Sequence, residues 1–350
     1  MRIATASQMR ELDRMTIQER GVPSTDLMER AAAALAQAAL ELAGGAPGRA
    51  VGVGGPGNSG GGGGACARLR REAGLEVRCV LVGKREKLTP DTRAMEARLA
   101  AAGGRLEPFA PDDADFASWC LEADVMVDAI FGIGLNSDVR GDALTAIHMM
   151  NTCDIPVVSA DIPSGVETDT GRVLGAAVRA DRTVTFTLPK AGHFVGKGGL
   201  CTGRLTVADI GIPAELVDGE DYPVRTVEAE DVSLPARPRD AHKGDFGRVY
   251  ILAGSVGYTG APVLAAQAAV RSGAGLVTVG VPAPVWPVAA AKLEEAMPYP
   301  LPAGKEGQLS LEAGEAVHGR LDGCGVCLIG PGLGRGNGVS AVVRQLLREI

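Results

Sequence analysis

The sequence predicts an α/β chain in two domains, the first built on a mostly parallel, doubly wound sheet and the second opening as another α/β unit. Three observations predict it. From Arg49 onward short apolar runs alternate with helical stretches, the pattern of strand-helix-strand units. The composition is 46% hydrophobic but only 3% aromatic, with 49 glycines. That balance suits tightly packed α/β layers with many strand-to-helix turns better than an aromatic-rich β-sandwich. A length of 350 residues favours two domains over one.

Two helices open the chain, over 7–20 and 24–43, each with a serine at its start and with Gly44-Gly45 as the stop. They cover a sheet rather than begin one. Units then alternate: strand 49–53, helix 64–73, strand 76–82, helix 90–102 capped by Thr89 and stopped by Gly103, and strands 124–130 and 156–161. The β-like segments 183–187 and 204–208 are expected to extend the sheet as antiparallel pairs at one edge. Between 212 and 240 the pattern dissolves into an acidic, proline-bearing stretch, read as linker. The expected division is therefore a first domain over 1–215, a linker over 216–240 and a second domain over 241–350. The second opens with strand 247–253, helix 261–272 and strand 276–281, and no internal repeat relates it to the first. Residues 339–350 place apolar side chains at i, i+3, i+4, i+7, i+8 and i+11, an amphipathic helix. With only three or four strands before that helix, the second domain reads as unfinished. Exposed core surface along 339–350, instability and self-association as a homo-oligomer are expected.

A net charge of −7, with no Lys/Arg cluster flanked by aromatics, excludes the usual nucleic-acid surfaces. The N-terminus runs into a polar helix without the apolar stretch and cleavage site of an export signal. The Ala-rich run 31–42 is too short and too weakly apolar to span a bilayer. A cytoplasmic protein with neither nucleic-acid nor membrane partners is expected. Seven cysteines form an odd, scattered set, which reads as reduced thiols. Cys324-Gly325-Val326-Cys327 is one CxxC without a second pair, in a chain with four histidines. It reads as small residues in a buried strand rather than as a zinc or redox site.

Eight of the eleven residues over 54–64 are glycine. Each costs about 0.5–1 kcal/mol relative to alanine where the backbone is fixed. The usual return is close approach of backbone N–H groups to a phosphate at a helix N-terminus. Gly55-Pro56-Gly57-Asn58-Ser59-Gly60 has the form GxGxxG between a strand and a helix, so an NADP-linked dehydrogenase stays open. The next strand ends Leu81-Val82-Gly83-Lys84-Arg85, without the acid that holds ribose hydroxyls, although the basic pair suits a 2′-phosphate. A glycine loop that only permits a tight turn also stays open. Two more strand ends carry unusual loops, Asp128-Ala129-Ile130-Phe131-Gly132-Ile133-Gly134-Leu135 and Asp161-Ile162-Pro163-Ser164-Gly165. Together with Asn58-Ser59 they gather carboxylates, hydroxyls and an amide around a glycine cradle. Such a set suits an anion plus a hard cation with oxygen ligands.

On 55–63, 128–134, 161–165 and Thr185-Phe186-Thr187-Leu188-Pro189-Lys190-Ala191-Gly192-His193, residues 1 to 215 resemble the NAD(P)H-hydrate epimerase domain. On 242–247, 253–255, 258–261 and 330–334 the rest is similar to the ADP-dependent NAD(P)H-hydrate dehydratase domain. The fused order resembles the bifunctional NAD(P)H-hydrate repair enzymes. The resemblance implies an N-terminal three-layer αβα Rossmann-like domain followed by the first part of a ribokinase-like α/β domain. It implies metabolite repair: the first domain interconverts the R and S hydrates of NADH and NADPH, and the second dehydrates the S form with ADP or ATP. Hydrate binding falls on Asn58, Ser59, Gly60, Gly61 and Gly62, on Gly132, Ile133, Gly134, Leu135, Asn136, Ser137 and Asp138, and on Asp161, the expected acid/base residue. In the second domain Ala253 and Gly332 meet the hydrate. Potassium falls to Ser59, Asp128 and Ser164.

Two positions depart from that pattern. Ser59 stands where the family has asparagine, trading a carbonyl for a hydroxyl on a shorter side chain, and weaker potassium binding is expected. Gly62 stands where the family has aspartate. Loss of an acid/base carboxylate typically lowers a rate by about 10²–10⁴, leaving proton transfer to Asp161. A slow epimerase or a binding-only domain is expected, so a non-catalytic NAD(P)-type nucleotide-binding or sensing protein stays open as the alternative. The Gly-Ser-Gly-Asp-type motif with which the dehydratases activate the hydrate hydroxyl is absent from 241–350, and the chain is expected not to dehydrate.

Overall fold

The computed structural model describes residues 1–44, 48–72, 76–112, 114–219, 221–234 and 236–349. The chain divides into two units, Met1–Val232 and Ser233–Ile350. The first opens with strand β1 (Arg2–Ile3) and helices α1 (Ala6–Gln18) and α2 (Ser24–Leu42). The cap of α1 is Thr5 rather than Ser7. Its hydroxyl accepts from the Gln8 N–H, and the Gln8 side chain accepts from the Thr5 N–H, a reciprocal capping box. Pro23 precedes α2, and no side chain caps it. Gly44 follows with φ +82°, the left-handed stop expected; Gly45 lies outside the described residues.

There follow β2 (Arg49–Gly54), α3 (Asn58–Glu72), β3 (Glu76–Leu81), α4 (Pro90–Ala101), β4 (Leu106–Pro108), α5 (Ala114–Glu122), β5 (Val125–Ala129), α6 (Gly141–Thr152) and β6 (Val157–Ala160). Then come β7 (Arg182–Phe186), the single turn α7 (Gly198–Cys201), β8 (Arg204–Ala208), α8 (Ala214–Gly219) and β9 (Val224–Arg225). Thr89 caps α4, accepting from the Thr92 N–H. Seven strands form one sheet in the order β4-β3-β2-β5-β6-β7-β8, and every pair in it is parallel. This corrects the antiparallel edge expected of 183–187 and 204–208. The connections 161–181 and 187–203 are long enough to cross over and bring each strand back to the same end.

Helices α2, α3 and α4 cover one face, with Leu35, Ala39, Ala65 and Met95 over Val127 and Val158. Helices α5 and α6 cover the other, with Phe116, Ile147 and Met150 over Val51, Val80 and Met126. The three layers leave a switch point between β2 and β5, where strand order reverses and ligands of open α/β sheets bind beyond the carboxyl ends.

Helix α3 begins at Asn58, not at Gly64, so 60–64 form its first turns instead of a loop; Ala73, its expected end, lies outside the described residues. Tertiary packing overrides the low helix propensity of glycine here. A Cβ on Gly60 would overlap the Gly55 carbonyl, and one on Gly61 would lie 2.8 Å from Met28 Sδ. The helix therefore sits on β2 as closely as two backbones allow. Gly62 differs, because a Cβ there meets nothing within 4 Å.

Helix α8 and strand β9 fall in the stretch expected as linker. Strand β9 pairs antiparallel with β1, and Tyr222 is buried with Leu12, Leu27 and Ile210, so the first unit continues to Val232.

The second unit comprises β10 (Arg248–Leu252), α9 (Gly260–Arg271), β11 (Leu276–Pro282), α10 (Trp286–Lys292), β12 (Met297–Leu301), α11 (Ala313–Leu321), β13 (Val326–Ile329) and α12 (Asn337–Glu349). Its sheet has the order β12-β11-β10-β13, all parallel. The apolar stripe of α12 is not exposed as expected. Val339, Val342 and Leu346 are buried with Tyr250, Leu252 and Val317, because the stripe faces α11 and the sheet; Ile350 lies outside the described residues. The CxxC reading is also corrected. Strand β13 is an edge strand, Cys324 and Cys327 are half-buried, and Val326 is 59% exposed. Among the described residues no helix is long and apolar enough to cross a membrane.

The close packing of α3 on β2 predicts opposite effects of two alanine substitutions. Gly60→Ala should lower unfolding free energy by at least about 1–3 kcal/mol through overpacking. Gly62→Ala should raise it by up to about 1 kcal/mol through helix propensity. Urea unfolding of both variants checks this, and equal destabilisation would contradict it.

Candidate active site

A cavity of about 670 Å³ opens at the switch point. Helices α1 and α2 form one wall with Arg10, Asp13, Ile17, Leu27 and Met28. The start of α3 contributes Asn58, Ser59 and Gly62, the segment after β5 contributes Ile130 to Ser137, and the segment after β6 contributes Asp161. The apolar walls converge on few polar groups, the usual make-up of a small-molecule site.

Asp161 is held in an unusual way. Its φ is +66°, and the Ile162 N–H reaches back 2.8 Å to the Ala160 carbonyl. This is a three-residue turn around a left-handed residue, a rare and strained form. At the end of β7 the chain does the same: Thr187 has φ +62°, and the Leu188 N–H lies 2.7 Å from the Phe186 carbonyl. Backbone strain of this kind costs about 1–3 kcal/mol per residue and persists only where the surroundings enforce it. The two turns bring Asp161 and Lys190 together. Lys190 Nζ donates to Asp161 Oδ1 at 2.6 Å and to Thr185 Oγ1 at 2.8 Å, and Thr185 Oγ1 donates to Asp161 Oδ1 at 3.1 Å. The lysine side chain is 1% exposed and the aspartate 15%.

Burial alone would raise the Asp161 pKa, but the Lys190 ammonium outweighs it and holds the carboxyl below the usual carboxylate range. Its Oδ1 takes both hydrogen bonds, while Oδ2 lies toward Gly132 and has no hydrogen-bond partner among the described residues. His193 completes the support. The Lys190 N–H donates to its Nδ1 at 3.0 Å, so Nε2 carries the proton and donates to the Asp161 carbonyl at 2.8 Å. Burial, with Lys190 beside it, pushes this imidazole from 6.5 down to about 4, so it is neutral at pH 7.

Asp128 lies at the end of β5 and is fully buried. Its carboxylate accepts from Ser159 Oγ and the Ser164 N–H, both at 2.8 Å, and from the Ile130 N–H at 3.3 Å. Burial still raises its pKa. Ser164 Oγ accepts from the Phe131 N–H at 2.9 Å and donates to the Phe131 carbonyl at 3.3 Å. Asp128 and Ser164 thus tie the segments after β5 and β6 together. Ser59 sits instead beside Gly132, where its Oγ leaves no room for a Cβ.

Of the residues expected to bind hydrate, Asn58, Ser59, Gly62, Gly132, Ile133, Gly134, Leu135, Asn136, Ser137 and Asp161 line the cavity. Gly60 and Gly61 face Gly55 and Met28 instead, and Asp138 is not among the lining residues. Ala253 and Gly332 belong to the second unit. The Gly254 N–H donates to the Pro331 carbonyl at 2.9 Å, and Ser255 Oγ donates to the Gly332 carbonyl at 2.7 Å. These bonds join the loops at the carboxyl ends of β10 and β13.

Sequence reasoning missed Asp13, Arg10, Thr185, Lys190 and His193 as site residues. A lone lysine and histidine beside Pro189 and Gly192 in an otherwise apolar segment carried a signal for two of them. Asp13 carried none, since an acid on a polar helix reads as solvated.

The three-layer parallel sheet and its switch-point cavity define a Rossmann-like protein with room for a nucleotide-sized ligand. Residues 24–192 match the family described as YjeF-related protein N-terminus, and residues 249–350 match the NAD(P)H-hydrate dehydratase family. The bifunctional NAD(P)H-hydrate repair enzyme Nnr of Moorella thermoacetica is 39% identical, over 100% of this chain and 67% of the relative. That of Salinibacter ruber is 36% identical, over 99% of this chain and 67% of the relative. The chain thus spans about two thirds of the length of these relatives. The crystal structure of yeast ynu0 superposes on 66% of this chain and 98% of its own with a TM-score of 0.55 at 21% identity, a likeness of fold. The chain belongs to the family of bifunctional NAD(P)H-hydrate repair enzymes.

Two outcomes follow from the buried pair. Lys190→Met leaves the Asp161 carboxylate without its counter-charge and should cost about 3–5 kcal/mol of stability; the double variant Asp161→Asn/Lys190→Met should recover part of that. Additive losses in denaturant unfolding would contradict the pairing. His193, with its pKa depressed in the fold, contributes stability that is present above 6.5 and lost as pH falls toward about 4. A nitrogen-detected NMR titration should show a neutral Nε2–H ring at pH 5.5, and a ring that protonates near 6.5 would contradict it.

Proposed function

We propose that the first unit binds hydrated NADH and NADPH in the switch-point cavity and interconverts their R and S forms. The observation that carries this reading is the ionised Asp161, whose Oδ2 is left open toward Gly132 in the segment after β5, where Ser59 from the start of α3 also reaches. Epimerisation requires the hydroxyl to leave and return on the opposite face, so a proton must be given and taken. A carboxylate kept ionised by Lys190 is suited to take it. The N-terminus of α3, with the N–H groups of its first turn unpaired within the helix, is suited to the diphosphate.

Potassium belongs to the same reading. Asp128 is a buried carboxylate whose direct partners are neutral donors, and Ser164 Oγ and the Phe131 carbonyl lie beside it. This hard-oxygen set fits an alkali cation, which would supply the missing charge and fix the two segments. Asp128 and Ser164 would hold it, with Ser59 nearer the substrate side at Gly132. The second unit is read with its family, as part of a domain that uses ADP or ATP in dehydrating the S hydrate, and since 241–350 holds no Gly-Ser-Gly-Asp-type motif, these residues by themselves are expected not to dehydrate. Gly62 favours a second reading, a binding or sensing domain without catalysis.

Incubation with one hydrate epimer and potassium, with the R/S ratio followed by chromatography, separates the two. A change faster than the protein-free control is expected. Hydrate bound without a catalysed change would contradict the epimerase and support the sensor. The space around the Gly62 Cβ position admits a side chain, so Gly62→Asp should raise the rate; an unchanged rate would show that the missing carboxylate is not what limits it. Potassium should raise the melting temperature more than sodium does, and Asp128→Asn should abolish the difference.

A further inference from the structure

On α1 the residues Met9, Leu12 and Thr16 are buried, while Arg10, Asp13 and Ile17 form the adjacent stripe along the cavity. Asp13 therefore presents a carboxyl to the same space as Asp161. Among the described residues it has no hydrogen-bond or ion-pair partner. The nearby cations are engaged elsewhere: Arg10 Nη2 donates to the Ile133 carbonyl at 3.1 Å, and Lys190 Nζ donates to Asp161 and Thr185. His193 is neutral, and Asp91, the other acid on the cavity wall, accepts from Ser24 Oγ at 2.9 Å. Burial, with the Asp161 charge across the cavity, pushes the Asp13 carboxyl up to about 6, against a smaller opposing pull from Lys190. Two carboxyls in one cavity, one held ionised by an ammonium and one without a counter-charge, are the arrangement that separates an acid from a base.

We propose that Asp13 is the proton donor to the hydroxyl of the bound hydrate, acting with Asp161 as the opposing base. This rests on the epimerase reading of the cavity. The Asp13 proton passes to the hydroxyl oxygen, the carbon–oxygen bond breaks, and water leaves with the bonding pair. The lone pair of the adjacent ring nitrogen forms a carbon–nitrogen double bond. A water then adds to the opposite face, the π pair returns to nitrogen, and the released proton goes to Asp161. That turnover leaves Asp13 ionised and Asp161 protonated, the form competent for the reverse epimer, and exchange with solvent resets it.

The test measures epimerisation above the protein-free control from pH 5 to 9 in the full chain and in Asp13→Asn and Asp13→Glu. Wild-type kcat/KM should fall as pH rises past about 6, since the donor must be protonated. Asp13→Asn should lower the rate about 10²–10⁴-fold and remove that limb, while calorimetric hydrate binding stays within a few-fold. Asp13→Glu should restore part of the rate. An Asp13→Asn rate and pH profile equal to wild type would overturn the proposal. So would a loss of binding that matches the loss of rate in both variants, which marks a structural role. A wild-type protein that binds hydrate without epimerising it would overturn the epimerase reading itself, and the donor role with it.

Discussion

The Lys190–Asp161 pair is the interaction on which the rest of the site depends. A buried ion pair is weak support for stability in general, because desolvation offsets most of the attraction. Here it has a different use. It consumes one oxygen of Asp161, keeps the group ionised in a low-dielectric cavity, and leaves the other oxygen toward Gly132. Left-handed turns at the ends of two adjacent strands, β6 and β7, aim the partners at one another. The neutral His193 bonds the backbone of both residues, so the pair is braced from main chain as well as side chain. Strain stored at two strand ends and an ammonium removed from water are together the local cost of one poised carboxylate.

The glycine-rich segment has two functions that composition alone could not separate. Gly60 lets α3 approach the end of β2 at Gly55, Gly61 leaves room for Met28 and Thr92 on the neighbouring helices, and Gly55 lies against the Ile130 backbone, which together set the position of the helix N-terminus at the switch point. Gly62 has no such steric duty, since the space around it is open. Its lack of a side chain bears on chemistry instead of packing, and Asp13 is the cavity carboxyl without a partner among the described residues that is left to set against Asp161.

Much of the architecture was legible in the sequence. Strand-helix alternation located β2, β3, β5 and β6, and Thr89 located the start of α4. The direction of β7 and β8 was not legible, because both strands lie after long connections whose crossovers leave no periodic mark. Helix α3 was placed six residues late, because glycine propensity argues against a helix that tertiary contact enforces. Within the site, the loop aspartates stood out by their position at strand ends, whereas Asp13 reaches the cavity, and Lys190 reaches Asp161 behind it, only through the folding of distant segments. Charge on a helix and an isolated lysine look like surface features until burial is known.

A crystal structure of the protein with a single NADPH hydrate bound is the most direct measurement. The ring hydroxyl should lie within hydrogen-bond distance of Asp13 in one epimer and of Asp161 Oδ2 in the other, with Lys190 still paired to Oδ1 and the diphosphate at the start of α3. Density for the ring away from this cavity, or an Asp161 turned toward solvent with Lys190 unpaired, would contradict it.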